Sequence, residues 1–345
     1  MPAGRKNNDK RKPHMKAMVW TRYGPPDALR LRDVEKPVPK GGQVLVRICA
    51  ATVSAGDCEM RRLEFSPLLR LAVRLYAGLL RPRRMTILGQ ELAGEVEAVG
   101  KDAKRFKEGD HVFGALGFGF GAYAEYICLP EESEDHVLAV RPGNITCEEA
   151  AAVPVGGLNA LYFLRKASIQ SGQKVLINGA AGSIGTIAVQ LAKSHGAHVT
   201  AVDSSGKLDM LRSIGADRVV DYTREDFTTS GEVYDVIFDV VGKASFSGCM
   251  RSLTKNGVYL LGNPSLSRRI RGAWVSLATG KRVPAGTASY RTVDLADLAH
   301  LIQAGKIRPV VDKRYPLEQI AEAHRYVESG HKRGNVVVTV AHGRD

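Results

Sequence analysis

Lys174–Asn178 has the make-up of a buried strand, and Gly179-Ala180-Ala181-Gly182-Ser183-Ile184-Gly185 follows it directly. That junction constrains the fold more than any other stretch. Beyond it, Ile184, Ile187, Ala188, Leu191 and Ala192 keep the helical period until Gly196 closes the run, and His198–Val202 reads as the next strand. Glycine at such a turn lets backbone amides approach an anion at a helix N-terminus, where unpaired N–H groups and the helix dipole converge. GxxGxxG alone is a weak signal that a purely structural turn also satisfies. Between a strand and a helix it predicts a dinucleotide-binding unit with the pyrophosphate over Gly182–Ile184 and with Gly179, Gly182, Ser183, Ile184 and Gly185 as cofactor residues.

Asp203 ends the following strand. A carboxylate there suits the ribose diol of NAD and repels a 2′-phosphate, whereas Ser204, Ser205 and Lys207 suit that phosphate. The residues argue both ways, so NAD and NADP both stay open.

The strand–helix alternation continues through Lys207–Ser213, Arg218–Asp221, Tyr234–Val241 and Val258–Gly262. Continuous apolar strands spaced by amphipathic helices predict a parallel sheet covered on both faces, here at 145–305. The preceding residues, 15–144, differ in character: Lys16–Trp20, Val44–Ile48, Glu91–Val99 and His111–Phe113 are short strand-like runs between Pro- and Gly-rich turns. After residue 305, Val310–Arg314, a helix over Leu317–Glu328 and a strand over Asn335–Val340 either close the parallel sheet or return to the first domain. At 345 residues the chain exceeds what one core usually organises, which agrees with two domains. The predicted class is α/β.

The formal charge is +13 and is unevenly placed. Residues 1–14 carry five basic residues against Asp9, and we expect a disordered leader there, since the segment lacks the apolar residues to bury a core. Residues 61–84 carry seven arginines against Glu64. Leu68, Leu71, Ala72 and Leu75 share one face of a predicted helix, with Arg70 and Arg74 on another. Such a helix can touch an anionic membrane or cover a cleft; the plainer expectation is a surface helix packed on its own domain. Residues 268–291 add six basic residues and no acid, and read as an exposed loop with a short helix.

Five cysteines, with no CxxC, match neither a disulfide framework nor a structural zinc lobe, so reduced thiols are expected. Ala150–Leu164, interrupted by Pro154, Gly156 and Gly157, is too short and broken to span a bilayer, and the N-terminus lacks the apolar core of a signal peptide. A cytoplasmic protein is expected.

Further motifs run in order along the chain: Gly89-Gln90-Glu91-Leu92-Ala93-Gly94-Glu95-Val96, Gly109-Asp110-His111-Val112-Phe113, Gly121-Ala122-Tyr123-Ala124-Glu125-Tyr126, Glu148–Pro154 and Ile214-Gly215-Ala216-Asp217. With the glycine turn they make the chain, from about Met15 to Val340, resemble the medium-chain dehydrogenase/reductases, in their zinc-free, quinone-oxidoreductase-like branch. The resemblance implies a GroES-like β-rich catalytic domain, a Rossmann parallel-sheet domain, a cleft between them, a C-terminal segment 306–345 that rejoins the catalytic domain, and a homodimer. It also implies cofactor contacts from Val241, Gly262 and Asn263 at strand ends, and from Lys332 and Asn335 near the C-terminus. For the glycines the alternative is a plain chain turn, and for Lys332 plain surface charge.

One departure from the family pattern bears on mechanism. Zinc-dependent relatives place cysteine, histidine and cysteine where this chain has Ser54, Gln90 and Gly156. A catalytic zinc needs three protein ligands, usually thiolate or imidazole, so no metal is expected. Asp57 matches a family position facing the cleft and either serves catalysis or orders its loop. Asn159 falls where the resemblance places the nicotinamide, or makes an ordinary buried hydrogen bond. Tyr123 is a further proton-donor candidate, although tyrosines in such strands also simply pack.

The expected function is zinc-independent hydride transfer from NAD(P)H to a quinone, enone or related carbonyl acceptor. The partner is then a small-molecule substrate, with no nucleic acid and no stable membrane association. The alternative is a nicotinamide-binding interaction protein with vestigial catalysis, touching RNA or a membrane through its basic segments.

Overall fold

A computed structural model describes residues 13–262, 266–284 and 286–342. Residues 1–12 of the expected leader, and Asn263, lie outside the described residues.

The first domain contains β1 (His14–Trp20), β2 (Leu29–Glu35), β3 (Gln43–Val53), α1 (Ala55–Arg62), α2 (Pro67–Ala77), β4 (Glu91–Val99), β5 (His111–Ala115), β6 (Tyr126–Pro130) and β7 (Val137–Val140). Helices α3 (Cys147–Ala151) and α4 (Pro154–Ala167) lead into β8 (Lys174–Asn178), α5 (Ser183–Ser194), β9 (His198–Asp203), α6 (Leu208–Ser213), β10 (Arg218–Asp221), β11 (Tyr234–Asp239), α7 (Phe246–Arg251) and β12 (Leu253–Leu261). Then come α8 (Leu266–Ala278), α9 (Thr292–Gln303), β13 (Val311–Pro316), α10 (Ile320–Glu328) and β14 (Asn335–Thr339).

The expected α/β class is what forms. Strands β10-β9-β8-β11-β12, in that order, make a five-stranded sheet in which every neighbouring pair is parallel. Strand β8 lies at its centre. Val175, Leu176 and Ile177 are wholly buried, because helices cover both faces and leave no solvent side for polar residues. The other large sheet has seven strands, with β14 pairing antiparallel with β3 and β13 parallel with β14. The last strand of the chain is therefore hydrogen-bonded into the first domain's sheet. The connection into it crosses the glycine turn, where the Gly334 amide donates to the Ala181 carbonyl at 2.7 Å. Ala150–Val153 are buried in a core that contains Ala50, Ala93 and Val337 of the first sheet together with Val175 and Ile177 of the second.

One expectation is corrected here. Cys49 on β3 and Cys147 at the start of α3 form a disulfide, with Cα atoms 6.5 Å apart, so these two thiols are not reduced. They lie 98 residues apart and carry no spacing signature; only the packing of α3 on β3 brings them together. Helix α2 packs on its own domain as expected, but through Val73 and Ala77, and its leucine face points to solvent.

Candidate active site

Strand β8 ends at Asn178, and the chain turns sharply at Gly179, whose φ is +80°. A Cβ at Gly179 would lie 2.3 Å from Val241 Cγ2, and one at Gly185 would lie 2.4 Å from the Gly179 carbonyl oxygen. Both positions therefore require glycine: the first on conformation and space, the second because helix and turn touch backbone to backbone. Gly182 is the N-cap of α5 and supplies no side-chain acceptor for the first-turn amides. Those amides, from Ser183 to Gly185, are left to serve a bound anion.

The surroundings are cationic. Lys332 Nζ donates to Ser183 Oγ at 3.0 Å and to the Gly334 carbonyl at 2.7 Å. Burial pushes its pKa down to about 8, while the Glu91 carboxylate acts in the opposite direction. Lys207 Nζ lies 3.1 Å from Asp203 Oδ1 and 3.1 Å from the Gly330 carbonyl oxygen. Asp203 is turned inward: Oδ2 accepts from the Ala181 amide at 3.0 Å and Oδ1 from the Ser204 amide at 2.9 Å. Its carboxylate thus props the glycine turn and is already partnered by a cation. Asn335 is buried, with its backbone N–H and Nδ2 both donating to the Val310 carbonyl, so it fixes the entry to β14. Val241 and Gly262 lie just past the ends of neighbouring β11 and β12, at the same sheet edge as the turn. The backbone there is ordered by Asp239, a buried carboxylate accepting from Asn178 Nδ2, the Gly242 amide and the Tyr259 hydroxyl at 2.8, 2.9 and 3.0 Å.

Asp57 forms a capping box with Ser54 at the start of α1, accepting from the Ser54 amide at 2.8 Å and the Ser54 hydroxyl at 2.6 Å, all on Oδ2. Its Oδ1 is buried with no hydrogen-bond partner. Burial raises its pKa to about 6 against the pull of those hydrogen bonds. Glu91, at the start of β4, accepts from Thr52 Oγ1 at 2.8 Å and from the Val155 amide at 3.0 Å, which ties the first sheet to the first turn of α4. Burial pushes Glu91 up to about 7. One turn along α4, Asn159 Nδ2 donates to the Val155 carbonyl at 2.8 Å and to the Tyr290 hydroxyl at 3.0 Å. Tyr290 so occupied as an acceptor still has its own O–H to give. Burial keeps it protonated, with its pKa pushed up to about 12. Tyr123 stands differently. Its ring is fully buried edge-on to His324, and its hydroxyl donates to the Thr52 carbonyl at 3.2 Å.

The positions that hold zinc in metal-dependent relatives do not fit the ion here. Ser54 Oγ and Gln90 Oε1 sit 3.4 Å apart, and both are hard, neutral donors where thiolate or imidazole is required. Any Cβ at Gly156 would fall 2.7 Å from the Ser183 carbonyl oxygen, so α4 and α5 leave no room for a ligand side chain. Elsewhere, Cys58, His324 and Glu328 converge with their donor atoms within 4.8 Å of one another. A cation already fills that cluster: Arg61 pairs with Glu328, and its Nε lies 3.3 Å from His324 Nδ1.

The arrangement has known counterparts. Residues 40–140 match the profile of the alcohol dehydrogenase GroES-like domain, and residues 214–338 that of the zinc-binding dehydrogenases. A 2-methylene-furan-3-one reductase of Solanum lycopersicum is 32% identical over 343 residues, covering 94% of this chain and 79% of the relative. The chain belongs to the medium-chain dehydrogenase/reductase family. As a member of that family's quinone-oxidoreductase-like branch, it is a nicotinamide-dependent oxidoreductase. The NADPH-dependent alkenal/one oxidoreductase of Arabidopsis thaliana chloroplasts is also 32% identical over 343 residues, with 94% and 79% covered. A solved quinone oxidoreductase from Coxiella burnetii superposes with a TM-score of 0.83 at 28% identity, over 95% of this chain and 100% of that one.

Within this family member, the sequence did not single out Asp239, Glu91 as a buried hinge carboxylate, or Tyr290. Asp239 had one available signal, an acidic residue ending an apolar strand. Tyr290 had none, since its flanking residues, Thr287-Ala288-Ser289 and Arg291, carry no periodicity.

Proposed function

We propose that the protein transfers hydride from NADPH to a conjugated enone or quinone without a metal ion, acting as a homodimer. The observation that carries this reading is the Asn159–Tyr290 pair. A protonated hydroxyl, held by a side-chain amide on α4, stands one turn from the Glu91-bound Val155 amide, while the zinc positions hold Ser54, Gln90 and Gly156. The relatives' names support the acceptor class, one being an alkenal/one oxidoreductase and another a quinone oxidoreductase.

The bound nicotinamide supplies the hydride; the chain's own residues do the rest. Gly179 and Gly185 hold the turn, the first amides of α5 with Lys332 take the pyrophosphate, and Lys207 takes the 2′-phosphate. Asp203 does not oppose that phosphate, because its carboxylate faces the Ala181 amide and Lys207. Without a Lewis acid, alkoxide formation from a simple alcohol is unsupported. An enone or quinone needs less help, since conjugation spreads the incoming charge. Tyr290 then donates a hydrogen bond to the oxyanion, and Asn159 fixes the direction of that bond.

Steady-state assays of wild type with both reduced cofactors against quinones, enones and primary alcohols test this reading. NADPH consumption with the conjugated acceptors is expected, with little alcohol oxidation. Lys207→Ala should raise KM for NADPH about tenfold or more and leave KM for NADH nearly unchanged, the loss of one charge-assisted phosphate contact. Asp203→Ala should weaken both cofactors together. Efficient turnover of a primary alcohol, or an Asp203→Ala variant that gains NADPH affinity, would contradict the assignment.

A further inference from the structure

We propose that α2 and the turn after it form a docking element that lies in the surface of an anionic lipid bilayer. Helices on soluble proteins bury the apolar stripe and expose the charged one; on α2 the leucine stripe is exposed as well. Leu68, Leu71, Ala72 and Leu75, spaced i, i+3, i+4 and i+7, share the outward face, and Leu68 and Leu75 are 82% and 70% exposed. Tyr76 and Leu69 widen that face. The inward side carries Val73, Arg74 and Ala77, with the Arg74 guanidinium over the Tyr23 ring.

This is not a loose loop that failed to pack. Gly78 turns the chain at φ +138°, the Tyr23 hydroxyl donates to its carbonyl, and the Arg83 and Arg84 amides both return to the Ala77 carbonyl. At the tip so fixed, Leu79 and Leu80 project, the latter 88% exposed. Exposed Arg81, Arg83 and Arg84 follow immediately. Apolar contiguity on this scale on a soluble surface marks an interaction site.

Charge selects the partner. Between residues 61 and 84 the sole acid is Glu64, and it is paired with Arg62. A second copy docking on this face would set arginine against arginine with no acid to answer. Anionic headgroups answer Arg81, Arg83 and Arg84, while the leucines enter the acyl boundary beside them. A second helix repeats the chemistry: on α8, Ile270, Ala273, Trp274 and Leu277 at the same spacing are exposed, with exposed Arg269 and Arg271 nearby. Among the described residues no helix is long and apolar enough to cross a membrane, so the element lies on the bilayer and does not span it. It goes beyond the enzymatic reading and does not depend on it, and it runs against the sequence-based expectation of no stable membrane association.

Sedimentation of the full chain with vesicles tests this, using phosphatidylcholine alone and phosphatidylcholine mixed with phosphatidylglycerol. Binding to the anionic vesicles is expected, weakening as salt is raised. Leu68→Ser/Leu71→Ser/Leu75→Ser should cut that binding by about a hundredfold, and Arg81→Gln/Arg83→Gln/Arg84→Gln should remove most of the preference for anionic lipid. All six side chains are exposed, so thermal melting should match wild type in both variants. No wild-type binding to anionic vesicles would overturn the proposal. So would binding that the leucine variant retains, or a leucine variant that converts a dimer to monomer with no vesicle binding in either form.

Discussion

Gly185→Ala is expected to lower nicotinamide-cofactor affinity by about a hundredfold or more, equivalent to roughly 3 kcal/mol. The added methyl would stand 2.4 Å from the Gly179 carbonyl oxygen and 2.6 Å from the Ala180 backbone, and none of these atoms can rotate away. Either the start of α5 or the turn must move, and each carries the amides on which the pyrophosphate depends. Gly182→Ala separates the two effects. Its Cβ would meet only the Gly179 oxygen, at 3.6 Å, and its φ of −83° is open to any residue. That variant should melt like wild type while binding cofactor poorly, because the methyl projects where the phosphate must sit. Fluorescence titration with NADPH, paired with thermal melting, reads both. Wild-type affinity in Gly185→Ala would place the pyrophosphate elsewhere.

Tyr290→Phe should lower kcat about a hundredfold on enones and quinones, the usual loss when one preorganised donor to an oxyanion is removed. Cofactor affinity should be nearly unchanged, since the described hydrogen bond of Tyr290 runs to Asn159 on α4 and not to the glycine turn. The pH dependence separates Tyr290 from the acids beside it. With its pKa near 12 it stays protonated through the neutral range, so inflections near pH 6 and 7 belong to Asp57 and Glu91, and one near 8 to Lys332. The two carboxyls are neutral below those values and charged above, and Lys332 is the reverse. Tyr290→Phe should therefore scale the pH profile down without shifting it. A kcat within threefold of wild type would remove Tyr290 from the chemistry.

The parallel sheet was legible because its strands are short apolar runs whose solvent side is missing, and because β8 meets the glycine turn with no residue between them. The outward face of α2 was half legible. Periodicity grouped Leu68, Leu71 and Leu75, but a period says which residues share a face and not which face finds a partner. Cys49 and Cys147 were not legible as a pair, since their meeting depends on how α3 packs on β3. Asp203 shows the limit of reading a residue by its usual role. The carboxylate at the end of β9 looked free to choose between a ribose and a phosphate, and only the Ala181 amide and Lys207 reveal that its two oxygens are already engaged. Tyr290 needed the tertiary structure outright, because its neighbour Asn159 lies 131 residues earlier.

The central claim is hydride transfer to a conjugated acceptor without metal. The most direct measurement is the NADPH-dependent turnover of an enone and a quinone by protein dialysed against a strong chelator, with zinc quantified in the same sample. Ser54 and Gln90 offer no thiolate or imidazole, and Gly156 has no space for a ligand, so the account predicts sub-stoichiometric zinc and unchanged kcat/KM. Stoichiometric zinc in the untreated protein, lost together with activity and restored by adding the ion back, would contradict it.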